Sequence, residues 1–347
     1  MSDSQAVRWG FCCAGKIAND FSIAMDKVTS ESEGTHRKVA VAARDKTKAE
    51  EFAKRHGFER AYGSYAELAQ DAEVEIVYVS SLHPQHFELC KLYLEANKNV
   101  LCEKPLTMKL SHTEELVRLA REKGLFFMEG FWSRFFPVYQ SVKKHVSNGD
   151  IGTVNQVHAH FHVPTPTERM VKEHLGGSAW FDIGVYCLNL VDFLYEEFPN
   201  EIQSVSSRLS ETVDKDLAVI LKYEGGRSAS LSTSITCHRP NSAVICGTQG
   251  YIEISPPFFH CATEYLLFKK GDTQPTLHSF PLSEDRISEY IYPAGEGFKY
   301  EIEHVRHCLK EKKVKESPVI DLEATLRLAR VTDEIVKQVL AKPFTKD

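Results

Sequence analysis

At 347 residues the chain has room for about two domains of ~150 residues each, and its 42% hydrophobic content can bury real cores. A formal charge of −6 and an isoelectric point near 6.2 leave no overall basic surface, which argues against nucleic acid or an anionic membrane as a partner. The 9 cysteines are scattered and form no C-x-x-C pair, the start is polar without a signal or transit pattern, and no apolar run approaches the ~18 residues of a membrane span; the expected compartment is the reducing cytoplasm.

From the start, Val7 to Cys12 reads as a strand, Cys13 to Ala18 as a tight turn, and Ile17 to Val28 as a helix with apolar residues on one face. Gly15 and Ala18 occupy the second and third small positions of the dinucleotide fingerprint G-x-G-x-x-G/A, and Cys13 stands at the first. The second glycine of that pattern lets backbone approach a pyrophosphate, and the helix start adds N–H groups and a positive dipole end. A β-turn-α unit without a ligand reads much the same, so the turn alone leaves the question open. Lys38 to Ala43 is the next strand, followed by a helix over Lys48 to His56. Arg44 follows the strand end where such domains read the adenosine ribose, and its planar fork suits the 2′-phosphate of NADP better than the bare hydroxyl of NAD. The competing reading pairs Arg44 with Asp45 or Glu50.

Glu75 to Ser81 is a third strand, and Ser80, Ser81, His83 and His86 come at its end, where hydroxyls and imidazoles meet a cofactor or start the helix of about Gln85 to Ala96. The fourth strand, Val100 to Cys102, runs into Glu103, Lys104 and Pro105. Pro105 has no N–H to continue a ladder, so Lys104 is delivered at a strand's carboxyl end, where open parallel sheets bind ligands. Taken alone, such a tripeptide is more often a surface ion pair. Ser111 and Glu114 have the spacing of a capping box for a helix that Gly124 ends. Leu125 to Glu129 is a fifth strand leading into an aromatic segment that holds Trp132 and Arg134. This alternation implies a doubly wound parallel sheet with right-handed crossovers. The nucleotide-binding domain is assigned to residues 1–133 and a second domain to 134–347, with a helix over Val138 to Ser147 near the junction.

Beyond Thr153 the segments become extended: Val154 to His162, Ile202 to Ser210, Leu217 to Tyr223, Ser228 to Ile235, Ala243 to Cys246, Tyr251 to Ile254 and Tyr265 to Lys269. They describe an α+β domain with one open, mostly antiparallel sheet. His158, His160 and His162 share a strand face, but successive imidazoles ~6.5 Å apart cannot all ligate one zinc, so a polar sheet face is expected and no metal. In a helix over Trp180 to Leu194, Asp182 and Tyr186 are i and i+4 and share a face. A tyrosine of ordinary pKa near ~10 is a poor base, yet a neighbouring ammonium favours its ionised form, and it would then take a proton from a substrate hydroxyl. The last segments, Gly297 to Lys310 and Leu322 to Leu340, read as helices that could return to the first domain.

E-K-P after the fourth strand, C-x-G-x-x-A after the first, and D-x-G-x-Y in the second half together resemble the Gfo/Idh/MocA oxidoreductase family over nearly the whole chain. A-A-R-D at Ala42 to Asp45, H-P-Q-H at His83 to His86, R-F-F-P at Arg134 to Pro137, D-I-G-V-Y-C at Asp182 to Cys187 and K-E-S-P-V-I at Lys315 to Ile320 add to it. The resemblance implies a Rossmann-type domain followed by an α+β substrate and dimerisation domain. It implies NADP, held through Cys13, Gly15, Lys16, Ile17, Arg44, Ser80, His83, His86, Glu103, Lys104 and Arg134. Lys104 and Tyr186 become the catalytic pair, Asp182 holds their geometry, and Trp132 and Phe161 are apolar walls for the substrate. The implied reaction is hydride transfer from a CH–OH group of a trans-dihydrodiol, giving a catechol, or of a pyranose such as D-xylose, giving a lactone. Other branches carry histidine where this chain has Tyr186, which points away from inositol-type enzymes. Another sugar or inositol dehydrogenase and a non-catalytic NADP-binding regulator remain as competing readings. A homodimer through the open sheet face is also implied. Cys13 departs from the family's glycine and bears on how tightly a pyrophosphate sits.

Overall fold

The computed structural model describes residues 6–31, 35–283 and 287–344, which fall into two compact units. The first takes the chain up to Phe135 and later the segment Leu282–Thr325. It opens with β1 (Val7–Cys12), α1 (Lys16–Glu31), β2 (His36–Ala42), α2 (Lys46–His56), β3 (Arg60–Tyr62) and α3 (Tyr65–Gln70). It continues with β4 (Ile76–Val79), α4 (His86–Glu95), β5 (Asn99–Glu103), α5 (Leu110–Lys123) and β6 (Phe127–Gly130). Every pair in the sheet is parallel, in the order β3-β2-β1-β4-β5-β6. The order reverses between β1 and β4, and ligands of such sheets bind at that switch point, beyond the strands' carboxyl ends.

Local chemistry explains the boundaries. Asp45 caps α2 by accepting from the Thr47 N–H at 3.0 Å, and Gly57 closes it in the left-handed region at φ 72°. Ser64 and Glu67 form a reciprocal capping box at α3. The alternation read from sequence has five strands whereas the sheet has six: β3 is a half-buried edge strand of 3 residues with no apolar run to announce it. The capping box expected at Ser111 is not formed. The helix α5 starts at Leu110, its N-cap is Lys109 without a side-chain bond, and Thr107 Oγ instead donates to the Lys109 carbonyl at 2.8 Å. Gly124 ends α5 at φ 61°, as its position predicts.

The second unit takes Phe136–Pro281 and the chain from Leu326 on. It contains α6 (Pro137–Ser147), β7 (Val154–His162), α7 (Glu168–Val171), α8 (Val185–Tyr195), β8 (Glu201–Arg208), β9 (Asp214–Lys222) and β10 (Ser228–Ser234). Then come β11 (Ala243–Gly247), β12 (Gly250–Ile254), β13 (Glu264–Lys269) and β14 (Thr276–Ser279). The eight strands run β14-β13-β12-β11-β7-β10-β9-β8, antiparallel except for the central pair β7 and β10. Val157, Ala159 and Phe161 of β7 point to the buried side, where α8, buried on every face, packs on β7 and β10. The other side carries exposed Val205 and Ile220 and the stacked rings of Tyr251 and Phe268. On it His158 and His162 bond to Ser230 and Ser232, and His160 to Arg239, so the histidine row is a polar sheet face. The edge strand β14 was not foreseen, because its four residues are mostly exposed and carry no clear alternation.

The chain then forms α9 (Phe298–Arg306), packed on α1 within the first unit with the Phe21 and Phe298 rings 5.5 Å apart. The final helix, α10 (Leu322–Ala341), starts in the first unit and continues in the second, where Arg327 forks onto Asp192 of α8 at 2.5 and 3.2 Å. Among the described residues no helix is long and apolar enough to cross a membrane.

Candidate active site

In the first unit the predicted cofactor residues gather at the carboxyl ends of β1, β2, β4 and β5. Cys13 leaves β1 at φ 89°, its N–H bound to the Ala42 carbonyl at 2.9 Å, so a residue with a side chain occupies a conformation that favours glycine. A Cβ built on Gly15 would meet nothing within 4 Å, which leaves the loop open at the position that admits a pyrophosphate. The first bond inside α1 runs from the Asn19 N–H to the Gly15 carbonyl, so the N–H groups of Lys16, Ile17 and Ala18 lie at the helix start without an intrahelical acceptor. These features fit a dinucleotide phosphate bound on Cys13, Gly15, Lys16 and Ile17.

Cys13 Sγ lies 3.1 Å from the Tyr65 hydroxyl. The Cys12 thiol, the Tyr65 hydroxyl and the Arg44 charge hold the Cys13 thiol below its ordinary pKa despite burial, while burial pushes Cys12 up. Arg44 is exposed, and among the described residues it makes no ion pair. Asp45 caps α2, and Glu50 lies 4.0 Å from Lys46.

Ser80 is held by structure: its N–H and hydroxyl both reach the Cys12 carbonyl, at 3.2 and 3.1 Å, and tie β4 to β1. His83 opens a short helical turn and is buried. His86 sits between two carbonyls, Pro105 at 2.9 Å and Ser81 at 3.0 Å. Two acceptors would suit an imidazolium, but burial and the nearby His83 hold its pKa down to about 4. Near neutral pH the ring is therefore neutral and donates to one of the two.

The turn after β5 is thus braced by His86 on one side and, on the other, by Glu129, which accepts from the Leu106 N–H at 2.8 Å. Lys104 is half-buried between Glu103, the last residue of β5, and Pro105. The buried Glu103 accepts from the Tyr78 hydroxyl at 2.7 Å. Arg134 is buried, with one guanidinium N–H on the Val319 carbonyl at 3.3 Å, and Trp132 stacks on Phe298 at 4.3 Å. Both therefore have packing roles inside the first unit.

Asp182, Tyr186 and Phe161 belong to the second unit. The segment predicted as a regular helix starts with a π-helical turn, Trp180–Gly184, and Tyr186 follows in α8. Asp182 therefore lies in a widened turn, with Tyr186 following in the first turn of α8. Asp214 anchors the turn by accepting from Ser178 Oγ at 2.6 Å and the Trp180 N–H at 2.8 Å. The glycine of D-x-G-x-Y has a steric reason: a Cβ at Gly184 would lie 2.4 Å from the Trp180 ring. Asp182 is buried and accepts from Arg169, a partner the sequence did not suggest.

Tyr186 lies against Phe161, 5.7 Å between centroids, and against His260 at 4.8 Å, while His260 and Phe161 stack at 4.4 Å. His260 was missed by sequence reasoning. It follows the irregular stretch from Pro256 to Phe259, which has no periodicity to orient its side chains. The cluster sets an imidazole and a phenol together on an apolar floor, a surface suited to a flat or carbocyclic molecule carrying hydroxyls. Among the described residues no group of three or more histidines, cysteines or carboxylates could hold a metal ion.

Residues 7–131 match the model of an oxidoreductase family with an NAD-binding Rossmann fold, and residues 139–253 match the GFO/IDH/MocA C-terminal domain. The chain is 40% identical over 336 residues to a trans-1,2-dihydrobenzene-1,2-diol dehydrogenase of Xenopus laevis, covering 96% of this chain and 98% of that one. A levoglucosan dehydrogenase solved with NADH and levoglucosan superposes with a TM-score of 0.83 at 18% identity, over 96% of this chain and 97% of that one. A 3-ketoreductase from Actinomadura kijaniata, in complex with TDP-benzene and NADP, superposes with a TM-score of 0.76 at 24% identity, over 95% and 96% of the two chains.

Proposed function

Since the chain belongs to the Gfo/Idh/MocA oxidoreductase family, we propose that it is an NADP-dependent dehydrogenase oxidising a CH–OH group of trans-dihydrodiols, to catechols, and of pyranose sugars such as D-xylose, to lactones. The observation that carries this reading is the whole-length relationship to a dihydrodiol dehydrogenase, joined to a lysine at the end of β5 and a tyrosine in an aromatic cluster. The exposed Arg44 supports NADP, since no local carboxylate competes for its fork.

In this reading Cys13, Gly15, Lys16 and Ile17 bind the pyrophosphate, and Arg44 binds the 2′-phosphate. Ser80, His83, His86, Glu103 and Arg134 shape the rest of the cofactor site. Bound oxidised nicotinamide supplies the hydride acceptor. Tyr186 Oη removes the proton of the reacting hydroxyl as its carbon loses hydride, and the Lys104 ammonium favours the ionised phenol. Asp182, buried with Arg169, orients the helix start that carries Tyr186. Trp132, Phe161 and His260 favour substrates with an apolar face. The ketone left by a dihydrodiol tautomerises to the catechol without help.

The test is the rise of reduced-nicotinamide absorbance with NADP⁺ or NAD⁺ and a trans-dihydrodiol or D-xylose. Turnover that prefers NADP⁺, with the preference falling about tenfold or more in Arg44→Ala, is expected. Binding of NADPH with no turnover of any diol or sugar would favour a regulator instead. The exposed apolar side chains of the open sheet face, with Val205 64% and Ile220 48% exposed, support the homodimer. Ile220→Glu should then convert dimer to monomer in sedimentation, and a monomeric unmodified protein would exclude it.

A further inference from the structure

In the first unit, α1 carries two side chains just past the phosphate turn that the cofactor reading leaves unused. Asp20 is fully buried, yet among the described residues it forms no ion pair. Its carboxylate accepts instead from backbone far along the chain. Oδ1 takes the Ile291 N–H at 2.9 Å and Oδ2 the Tyr292 N–H at 2.8 Å, while the Asn19 side-chain amide donates to Oδ1 at 3.0 Å. Asn19 Nδ2 also reaches the Glu289 carbonyl at 3.4 Å. A buried carboxylate without a cation persists where several donors hold it, so these bonds fix the distant segment to the helix.

Residues 287–297 thus form a strap on α1. It begins in a short helical turn, Ile287–Glu289, is bound at Asn19 and Asp20, and ends in a second turn, Gly295–Gly297, packed on α1 just before α9. The Tyr290 ring lies on Gly295, where a Cβ would come within 2.4 Å of it, so the strap also folds on itself. Ile287 and Ile291 face solvent. A helix rises ~1.5 Å per residue, which puts Asp20 only ~6 Å along the axis from Lys16 and the N–H groups at the helix start. Those groups lack an intrahelical acceptor and form the proposed pyrophosphate site. The Asp20 charge, left to itself, would repel an anion bound there, and the strap N–H groups offset that charge. A latched strap and a bound pyrophosphate therefore favour one another.

We propose that Asp20 is the latch of this strap, and that the latched strap borders the pyrophosphate turn and slows release of the dinucleotide. Asp20 is a positioning residue, whose effect reaches the cofactor through the backbone of residues 289–292. The inference rests on the dinucleotide reading of the turn and is independent of the substrate.

Two measurements on the full-length protein test it. The first is stopped-flow release of NADPH, followed by its fluorescence. Asp20→Ala removes the acceptor, and Ile291→Pro removes one donor while leaving the carboxylate. Each should speed release and raise the Kd about tenfold, as expected for a lost charge-assisted bond, and the double variant should lose little beyond Asp20→Ala because both break one contact. Unchanged release in Asp20→Ala, or effects that multiply in the double variant, would overturn the latch. If the alanine variant does not fold, Asp20→Asn, which keeps one acceptor oxygen, completes the same cycle with Ile291→Pro. The second measurement is chymotryptic cleavage after Tyr290 and Tyr292, located by mass spectrometry. Coupling is reciprocal, so saturating NADPH should slow this cleavage several-fold in the unmodified protein and not in Asp20→Ala. Equal protection in both would overturn the proposal. A protein that binds neither NADPH nor NADH overturns the dinucleotide reading and the strap's role in release, while faster cleavage of Asp20→Ala without cofactor still decides the latch itself.

Discussion

Lys104 and Tyr186 are placed by opposite kinds of structure. The lysine stands at a strand end in a polar, braced turn, and the tyrosine leans on rings. If they carry the proton chemistry, Lys104→Met or Tyr186→Phe lowers kcat by a factor of about 10² to about 10⁴. NADPH binding, followed by fluorescence titration, should survive in the tyrosine variant, and full turnover in either would remove the mechanism. His260 contributes contact: its ring covers both Tyr186 and Phe161. Such aromatic pairs are worth about 0.5–1.5 kcal/mol beyond their area, so His260→Ala should cost about threefold to about tenfold in kcat/KM and His260→Phe much less. Steady-state kinetics with both variants separates packing from a requirement for the imidazole.

At the scale of elements, the turn from β1 to α1 combines openness with strain. Gly15 has space around it, whereas Cys13 holds φ 89° with a side chain present. An L-residue in the left-handed region costs roughly 1–2 kcal/mol, and glycine gives back roughly 0.5–1 kcal/mol of that through the entropy of the unfolded chain. Cys13→Gly should therefore raise Tm by about 2 °C in thermal unfolding while NADPH affinity is kept, and a fall in Tm would mean that the Sγ contact with Tyr65 outweighs the strain. The turn before α8 makes the complementary case. Asp214 and the close approach of Gly184 to Trp180 build a π-helical turn, which no count of apolar residues separates from an α-helix.

For the molecule as a whole, buried and half-buried histidines contribute to the response to acid. Burial lowers the pKa of His86, His160 and His304 to about 4, below the unfolded value of 6.5. Between those values the unfolded chain binds more protons than the folded one, so the stability these neutral rings contribute is present above about pH 6.5 and is lost as pH falls towards about 4. The urea midpoint should accordingly be lower at about pH 5 than at about pH 7, and an equal or higher midpoint at the lower pH would contradict this account.

Chain order, periodicity and turn residues were enough to determine the alternating parallel sheet, the change to an extended second half, and the strand-end positions of Arg44, Glu103 and Lys104. Each of these depends on local backbone chemistry: a proline that ends a ladder, a glycine that ends a helix, apolar residues at a regular period. Tertiary structure alone decided what depends on neighbours far along the chain. The edge strand β3 exists because β2 pairs with it, and β7 became central because β10 lies parallel to it. Asp182 met Arg169, His260 came to rest on Tyr186, and Asp20 was buried under the N–H groups of Ile291 and Tyr292, more than 270 residues after it in the chain. A side chain's partner and its loss of water are properties of the folded surroundings, and no local pattern records them.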